Sequence, residues 1–268
     1  MTKTQRRSRK MTGRLATLAA AVAAAAVVVV APRPVRAQSF ASEPEMVEGG
    51  SRFRSPQRFA FELRFGPYRP NVDSEFNGSR TPYKDYFGDS RKLMTQIELD
   101  YEFLHRFGSL GIGLGVGYFS VSGTAPVADG TGAASGDRST LKVVPMALSL
   151  VYRFDVLLER RKFPIVPFGK AGVDYAYWQI TDGSDQIATD GKGGSGRGGT
   201  PGWHAAAGVA LVLDGFDPEA ARSFDSDMGV NHTAIVFEYR YADISGLGSA
   251  NKLHVGDTTW SLGLLLEF

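Results

Sequence analysis

Eight separate stretches of this chain alternate apolar and polar residues with a period of two, which restricts each of them to an extended strand with one oily and one polar face. The first sets Phe59, Phe61, Leu63 and Phe65 against Glu62 and Arg64, and the second sets Leu93, Ile97, Leu99, Tyr101 and Phe103 against Gln96, Glu98, Asp100 and Glu102. The third alternates Leu110, Ile112, Leu114, Val116 and Tyr118 with Gly111, Gly113, Gly115 and Gly117. The fourth opposes Val144, Met146, Leu148, Leu150, Tyr152 and Phe154 to Ala147, Ser149 and Arg153, and the fifth opposes Ala171, Val173, Tyr175 and Tyr177 to Lys170, Gly172 and Asp174. Trp203, Ala205, Ala207, Val209 and Leu211 stand against His204 and Gly208 in the sixth, and Ile235, Phe237, Tyr239 and Tyr241 against Glu238 and Arg240 in the seventh. The chain ends with Trp260, Leu262, Leu264, Leu266 and Phe268 against Ser261, Gly263 and Glu267.

The connections between these stretches are unequal. Residues 69–91, 122–139, 181–201 and 243–257 read as long polar links, whereas 105–109 and 155–164 are short. Long links at one end and short turns at the other are the asymmetry of a barrel that crosses a bilayer. The link over 214–229 is the exception, and its Pro218-Glu219-Ala220-Ala221-Arg222 start predicts a short helix at the short-turn end. Tyr and Trp cluster at the ends of the stretches, where two aromatic girdles belong. In hydrocarbon every backbone N–H and C=O needs a partner within the protein, so a sheet with this oily face must close. The expected fold is all-β: a closed antiparallel transmembrane barrel of about eight strands over 57–268, whose narrow interior is filled by side chains.

What precedes the barrel reads differently. Residues 1–14 carry Lys3, Arg6, Arg7, Arg9, Lys10 and Arg14 without an acid, and 15–31 are almost unbroken Ala, Val and Leu. A basic segment followed by an apolar one and by Val35-Arg36-Ala37 predicts a signal peptide over 1–37, cut before Gln38, with 38–56 as a periplasmic segment. Without its eight basic residues, the 30 Lys and Arg of the whole chain fall to 22 against 28 acids. The remaining chain is acidic, so no nucleic acid is expected as a partner. With no cysteine, disulfides and thiolate metal sites are excluded, and neither metal nor cofactor is expected.

The inward set on this reading is Glu62, Arg64, Glu98, Asp100, Glu102, Arg153, Lys170, Asp174, His204, Glu238, Arg240 and Glu267: seven acids, four bases and a histidine. Buried ionisable groups in membranes often mark a proton or ion path. A salt-bridged plug is the reading favoured here, because an eight-stranded interior is normally full. His204 is expected to hydrogen-bond in the lumen, and neither His232 nor His254 has a Ser-plus-acid spacing that marks a hydrolase. The stretch from Asp190 to Gly199 is glycine-rich, but it lacks the Gly-Lys-Ser/Thr ending of a phosphate loop. Asp73, Glu75, Arg80, Lys84, Asp85, Asp89, Asp129, Asp137, Asp182, Asp185 and Asp190 fall in the outer links and are expected to meet the environment.

The closing run Trp260, Leu262, Leu264, Leu266, Phe268 resembles the recognition signal of proteins handled by the bacterial barrel-assembly machinery. More broadly, Phe65-Gly-Pro-Tyr68-Arg-Pro-Asn-Val-Asp73, Pro82-Tyr-Lys-Asp85-Tyr-Phe87-Gly and Gly229-Val-Asn231-His232-Thr resemble an uncharacterised outer-membrane β-barrel family of myxobacteria and relatives, small barrels of the OmpA and OmpW kind. That resemblance implies a location in the outer membrane and a fold, with outer-membrane lipid and the barrel-assembly machinery as partners, and no known reaction. The resulting expectation is a non-enzymatic barrel with a packed polar lumen and a structural or surface-interaction role, its extracellular ligand unnamed. A narrow channel for small solutes or ions comes second and a lipid-active enzyme third.

Overall fold

The computed structural model describes residues 58–126, 134–161, 163–189, 194–249 and 252–268. The expected leader at 1–37, the segment 38–56, and the loop residues Asp129 and Asp190 lie outside the described residues, as does the side chain of Asp137.

Eight strands close on themselves in sequence order: β1 Phe59–Tyr68, β2 Lys92–His105, β3 Ser109–Pro126, β4 Ala134–Arg153, β5 Ile165–Thr181, β6 Arg197–Val212, β7 His232–Asp243 and β8 Asp257–Glu267. Every neighbouring pair is antiparallel, and β8 returns to β1 with Phe61 opposite Leu266, Leu63 opposite Leu264 and Phe65 opposite Leu262. Phe268 completes the seam through backbone hydrogen bonds to Arg58 and Phe59. With no open edge, the ladder satisfies the backbone that hydrocarbon could not. Among the described residues no helix is long and apolar enough to cross a membrane.

The outer surface is oily. Leu114 is 64 % exposed, and Ile112, Leu148, Leu150, Val173, Phe237, Leu262 and Leu264 are exposed around the same cylinder. Girdles of Phe59, Tyr101, Phe103 and Tyr152 at one end and of Tyr118, Tyr175, Trp203, Tyr239, Tyr241 and Trp260 at the other bound this band. Rings meet within both, Phe59 with Tyr101 at 5.3 Å and Trp203 with Tyr241 at 5.4 Å between centroids.

Two sequence expectations need correction. The link over 122–139 is largely strand, because β3 and β4 run to Pro126 and from Ala134, and the link over 181–201 is shortened at its far end, because β6 begins at Arg197. Above the outer girdle the apolar residues change faces. Tyr118 points outward, but Phe119 and Val121 on β3 and Leu141 and Val143 on β4 are buried. Once a strand has left the bilayer its outer face meets water, so its apolar side chains move inward and the alternation loses its phase. The second correction concerns the lumen, which is polar at mid-height and apolar at both ends.

At the outer end Tyr68, Val72, Tyr83, Met94, Phe119, Leu141, Val143 and Val255 form one buried cluster. Tyr68 meets Phe119 edge-on at 4.7 Å, and its hydroxyl donates to the Val255 carbonyl. The short helix α1, Pro82–Phe87, seats Tyr83 in this cluster and lies so close to β3 that a Cβ at Gly123 would come 3.0 Å from the Phe87 Cα and overlap the Tyr86 carbonyl. Burial pushes the Tyr83 phenol up to about 12, so it stays neutral. At the other end Ala60, Val166, Phe168, Val212, Val236 and Leu265 form a second cluster, covered by Leu158 of α2, Val156–Arg161. The predicted helix at the short-turn end is present as α3, Pro218–Met228.

Candidate functional site

Between the two apolar clusters lies a layer of buried charge. Glu62 on β1 faces Glu98 on β2 in the ladder, a like-charge pair that is unfavourable unless cations join it. Three do. Arg64 donates to Glu62 at 2.9 Å, Glu238 at 2.5 Å and Glu98 at 2.5 Å. Lys170 from β5 reaches Glu62 at 2.7 Å, Glu98 at 3.1 Å and Glu238 at 3.3 Å. Arg153 from β4 donates to Glu102 at 2.8 Å, to the second oxygen of Glu62 at 2.8 Å, and to Asp100. Glu62 therefore bridges all three cations and is 1 % exposed. Below it the Lys170 ammonium stands 5.2 Å over the Phe168 ring, where the negative face of the aromatic adds a weak attraction.

The glycines of β3 make this layer possible. That strand separates β2 from β4, with Gly113 opposite Asp100 and Gly111 opposite Glu102. Having no side chains, they let Arg153 on β4 cross over β3 to the carboxylates of β2. A Cβ at Gly113 would lie 2.8 Å from a Glu98 oxygen and closer still to Asp100, and one at Gly117 would lie 2.9 Å from the Pro145 ring.

A second polar group sits higher in the lumen. Ser149 Oγ lies 3.1 Å from His204 Nε2, His204 Nδ1 lies 2.9 Å from Asp174, and Arg240 donates to the other Asp174 oxygen at 2.5 Å. Ser149 and His204 meet across β5 because Gly172 stands opposite both, and a Cβ there would approach His204 Cε1 to 2.8 Å. The order Ser–His–Asp is that of a hydrolase relay. Substrate access is missing: Ser149 is 3 % and His204 2 % exposed. Ser149 is accordingly expected to resist fluorophosphonate labelling of the folded protein, and adduct formation at Ser149, read by mass spectrometry, would reverse that reading.

Arg240 and Glu267 are half-buried, at the outer and inner borders of the polar layer, while the other ten predicted lumen residues are buried. Sequence pattern placed these side chains on one face of each strand but did not single out Ser149 and Gln96, which are buried on that same face. His232 pairs with Asp214 at the short-turn end, where Asp214 also accepts the Thr233 amide at 3.1 Å. Of the closing run, Trp260, Leu262 and Leu264 are exposed on the oily face, and Leu266 and Phe268 are half-buried at the seam.

The outer links contain a cleft of about 320 Å³ lined by Arg69, Asn71, Ser74, Arg91, His254 and Asp257 among others. Its cations are already matched. Arg91 donates to Asp257 at 2.5 Å, and Arg69 reaches Asp73 at 2.8 Å and Asp89 at 3.1 Å. Ser74 gives its proton to the Asn71 carbonyl at 2.7 Å, so it receives its 3.0 Å hydrogen bond from His254 and is no nucleophile for it. Of the predicted outer residues, Asp73 also accepts the Tyr83 amide at 2.7 Å, Lys84 pairs with Asp89 at 3.5 Å, and Asp85 accepts from Thr81 at 3.1 Å. Asp182 accepts the amides of Ser184 and Gln186 at 2.9 and 3.0 Å, shaping a separate turn in which Asp185 has φ of +58°. Arg80 is exposed and Glu75 half-buried. Sequence reasoning missed Arg69, Arg91 and Asp257, because Asp257, which accepts from the Arg69 amide and the Arg91 guanidinium, lies 188 and 166 residues from them in the chain.

A family model described as outer membrane protein beta-barrel domain matches residues 47–268. No curated protein matches the chain. Among solved structures, the N-terminal β-barrel domain of OprF from Pseudomonas aeruginosa is similar at 13% identity and TM-score 0.39, covering 79% of this chain and 98% of that one. OprG from Pseudomonas aeruginosa is similar at 14% identity and TM-score 0.43, covering 79% and 96%. A major outer membrane protein from Thermus thermophilus is similar at 15% identity and TM-score 0.41, covering 80% and 100%.

Proposed function

The chain belongs to the outer membrane protein β-barrel domain family, and from that premise we propose that it is a sealed barrel acting structurally and through its outer links, and not by conducting solutes or by catalysis. The observation that carries this reading is the filling of the lumen in three layers, apolar, ionic and apolar. An ion entering from outside would first have to displace Tyr83, Phe119, Leu141 and Val143, and then part carboxylates from Arg64, Arg153 and Lys170. The lumenal cavity beside Arg64, Gln96, Gly117 and Arg240 is about 10 Å³, room for about one water.

The seated α1, the four strands that rise above the outer girdle and the cleft by Arg91 and Asp257 supply a surface on which an extracellular partner would act. Within the family we assign the chain to the myxobacterial type, on the strength of the Phe65–Asp73, Pro82–Gly88 and Gly229–Thr233 segments. Export through a leader removed before Gln38, and delivery to the barrel-assembly machinery through the run ending at Phe268, complete the proposal.

Planar-bilayer recording separates this reading from a narrow channel. The purified barrel is expected to give no steady current in symmetrical salt. A steady conductance that Glu98→Gln or Arg153→Gln abolishes would overturn the sealed reading in favour of an ion path. A deletion strain with altered lipid A or phospholipid composition would instead favour an enzyme.

A further inference from the structure

The short-turn end of the barrel carries an element that neither the lumen nor the outer cleft uses. Helix α3 joins β6 to β7 and is ended by Gly229, whose φ of +70° suits a residue without a side chain, and by the buried Val230. Its sides are unlike one another. Ala221 and Asp225, one turn apart, are half-buried against the protein, and Glu219, Ser223, Ser226 and Asp227 are exposed on the far side. Phe224 and Met228, also one turn apart, fall on the flank between, 47% and 59% exposed, and Phe216 just before the helix is 71% exposed.

Single exposed apolar side chains are ordinary, but three large ones on one short connection form a patch that needs a partner. The place of the helix says which. The strands on either side carry the oily band: β6 leaves it through Val209 and Leu211 and β7 re-enters it through Ile235 and Phe237, with Leu211 directly opposite Ile235. The connection that carries the patch therefore starts and ends at the lipid-facing wall. We propose that α3 lies in the headgroup zone of the periplasmic leaflet, with Phe216, Phe224 and Met228 inserted among the lipids and the acidic side in water. Interfacial helices that seek anionic lipid are rich in Lys and Arg on the polar face, whereas this one has a single basic residue, Arg222, against Glu219, Asp225 and Asp227. Its partner is thus a neutral phospholipid surface, held by apolar burial and not by headgroup charge.

The absence of cysteine from the chain allows a clean test. Single variants Phe224→Cys, Met228→Cys, Ser223→Cys and Asp227→Cys carry one nitroxide each on barrels refolded into phosphatidylcholine vesicles, folding being verified by the shift in gel migration on boiling. Labels at 224 and 228 are expected to collide severalfold more with oxygen than with a water-soluble nickel chelate, and labels at 223 and 227 to show the reverse. Equal access of the chelate to all four positions overturns the proposal. So does shielding of 224 and 228 from both reagents, which would mean that the flank packs on the barrel. Labels that are wet in vesicles but protected in outer-membrane fragments also overturn it, assigning the flank to a protein instead.

Discussion

Replacing Arg153 by Met is expected to destabilise the folded barrel by about 3–5 kcal/mol, the cost typical of leaving buried charge without its partner. The guanidinium serves Glu62, Asp100 and Glu102 at once, and it is the link from β4 across the glycines of β3 to β2. Without it three carboxylates in the barrel interior lose a shared counter-charge. Arg153→Lys keeps the charge but loses the fork that holds two carboxylates together, so it should fall between. The measurement is the urea midpoint of protein refolded into vesicles, followed by gel migration without boiling. An unchanged midpoint for Arg153→Met would show that the cluster is hydrated or rearranges freely. This cost measures breakage of the network. It is not the net worth of the ion pairs against a well-packed apolar layer of the same volume, which is often equally stable.

Leu264→Arg is the second large effect, expected at about 2–4 kcal/mol because a charge on the lipid face costs most near the bilayer midplane. Leu264 lies between Trp260 at the outer girdle and the seam at Phe268, opposite Leu63 on one side and Ile235 on the other. Asp185→Asn is the control: it neutralises an exposed charge in an outer turn, and Asn tolerates the left-handed backbone there. Its midpoint should match that of the unaltered protein. If Leu264→Arg also matched, the oily wall would not be in contact with acyl chains and the transmembrane reading would fail.

Much of this was legible from residue order alone. Period-two alternation needs no tertiary information, because successive side chains of any strand point to opposite faces. Reading Phe61-Glu62-Leu63-Arg64 or Ile97-Glu98-Leu99-Asp100 is enough to assign each residue to wall or lumen. The α3 segment was legible for a similar reason, since a proline at the start of a helix is a local signal. The outer halves of β3 and β4 were not legible. There Tyr118 is the last outward apolar residue and Phe119 the first inward one, so the pattern slips at the very place where the solvent changes. The buried His204 site was half visible: His204 could be placed inward, but Ser149 and Asp174 lie 55 and 30 residues away in the chain, and nothing local marks them as its partners.

Alternation and the need to satisfy every backbone group in hydrocarbon were sufficient, from residue order, for the number of strands, their closure and the sign of each face. Tertiary structure alone settled which charges meet, which glycines let them pass, and that apolar clusters close both ends of the lumen. The reason is the range of the forces. Alternation and propensity act between chain neighbours, whereas the reach of Arg153 to Glu62 depends on the register of every strand from β1 to β4, each contributing its own offset before two groups 91 residues apart come within 2.8 Å.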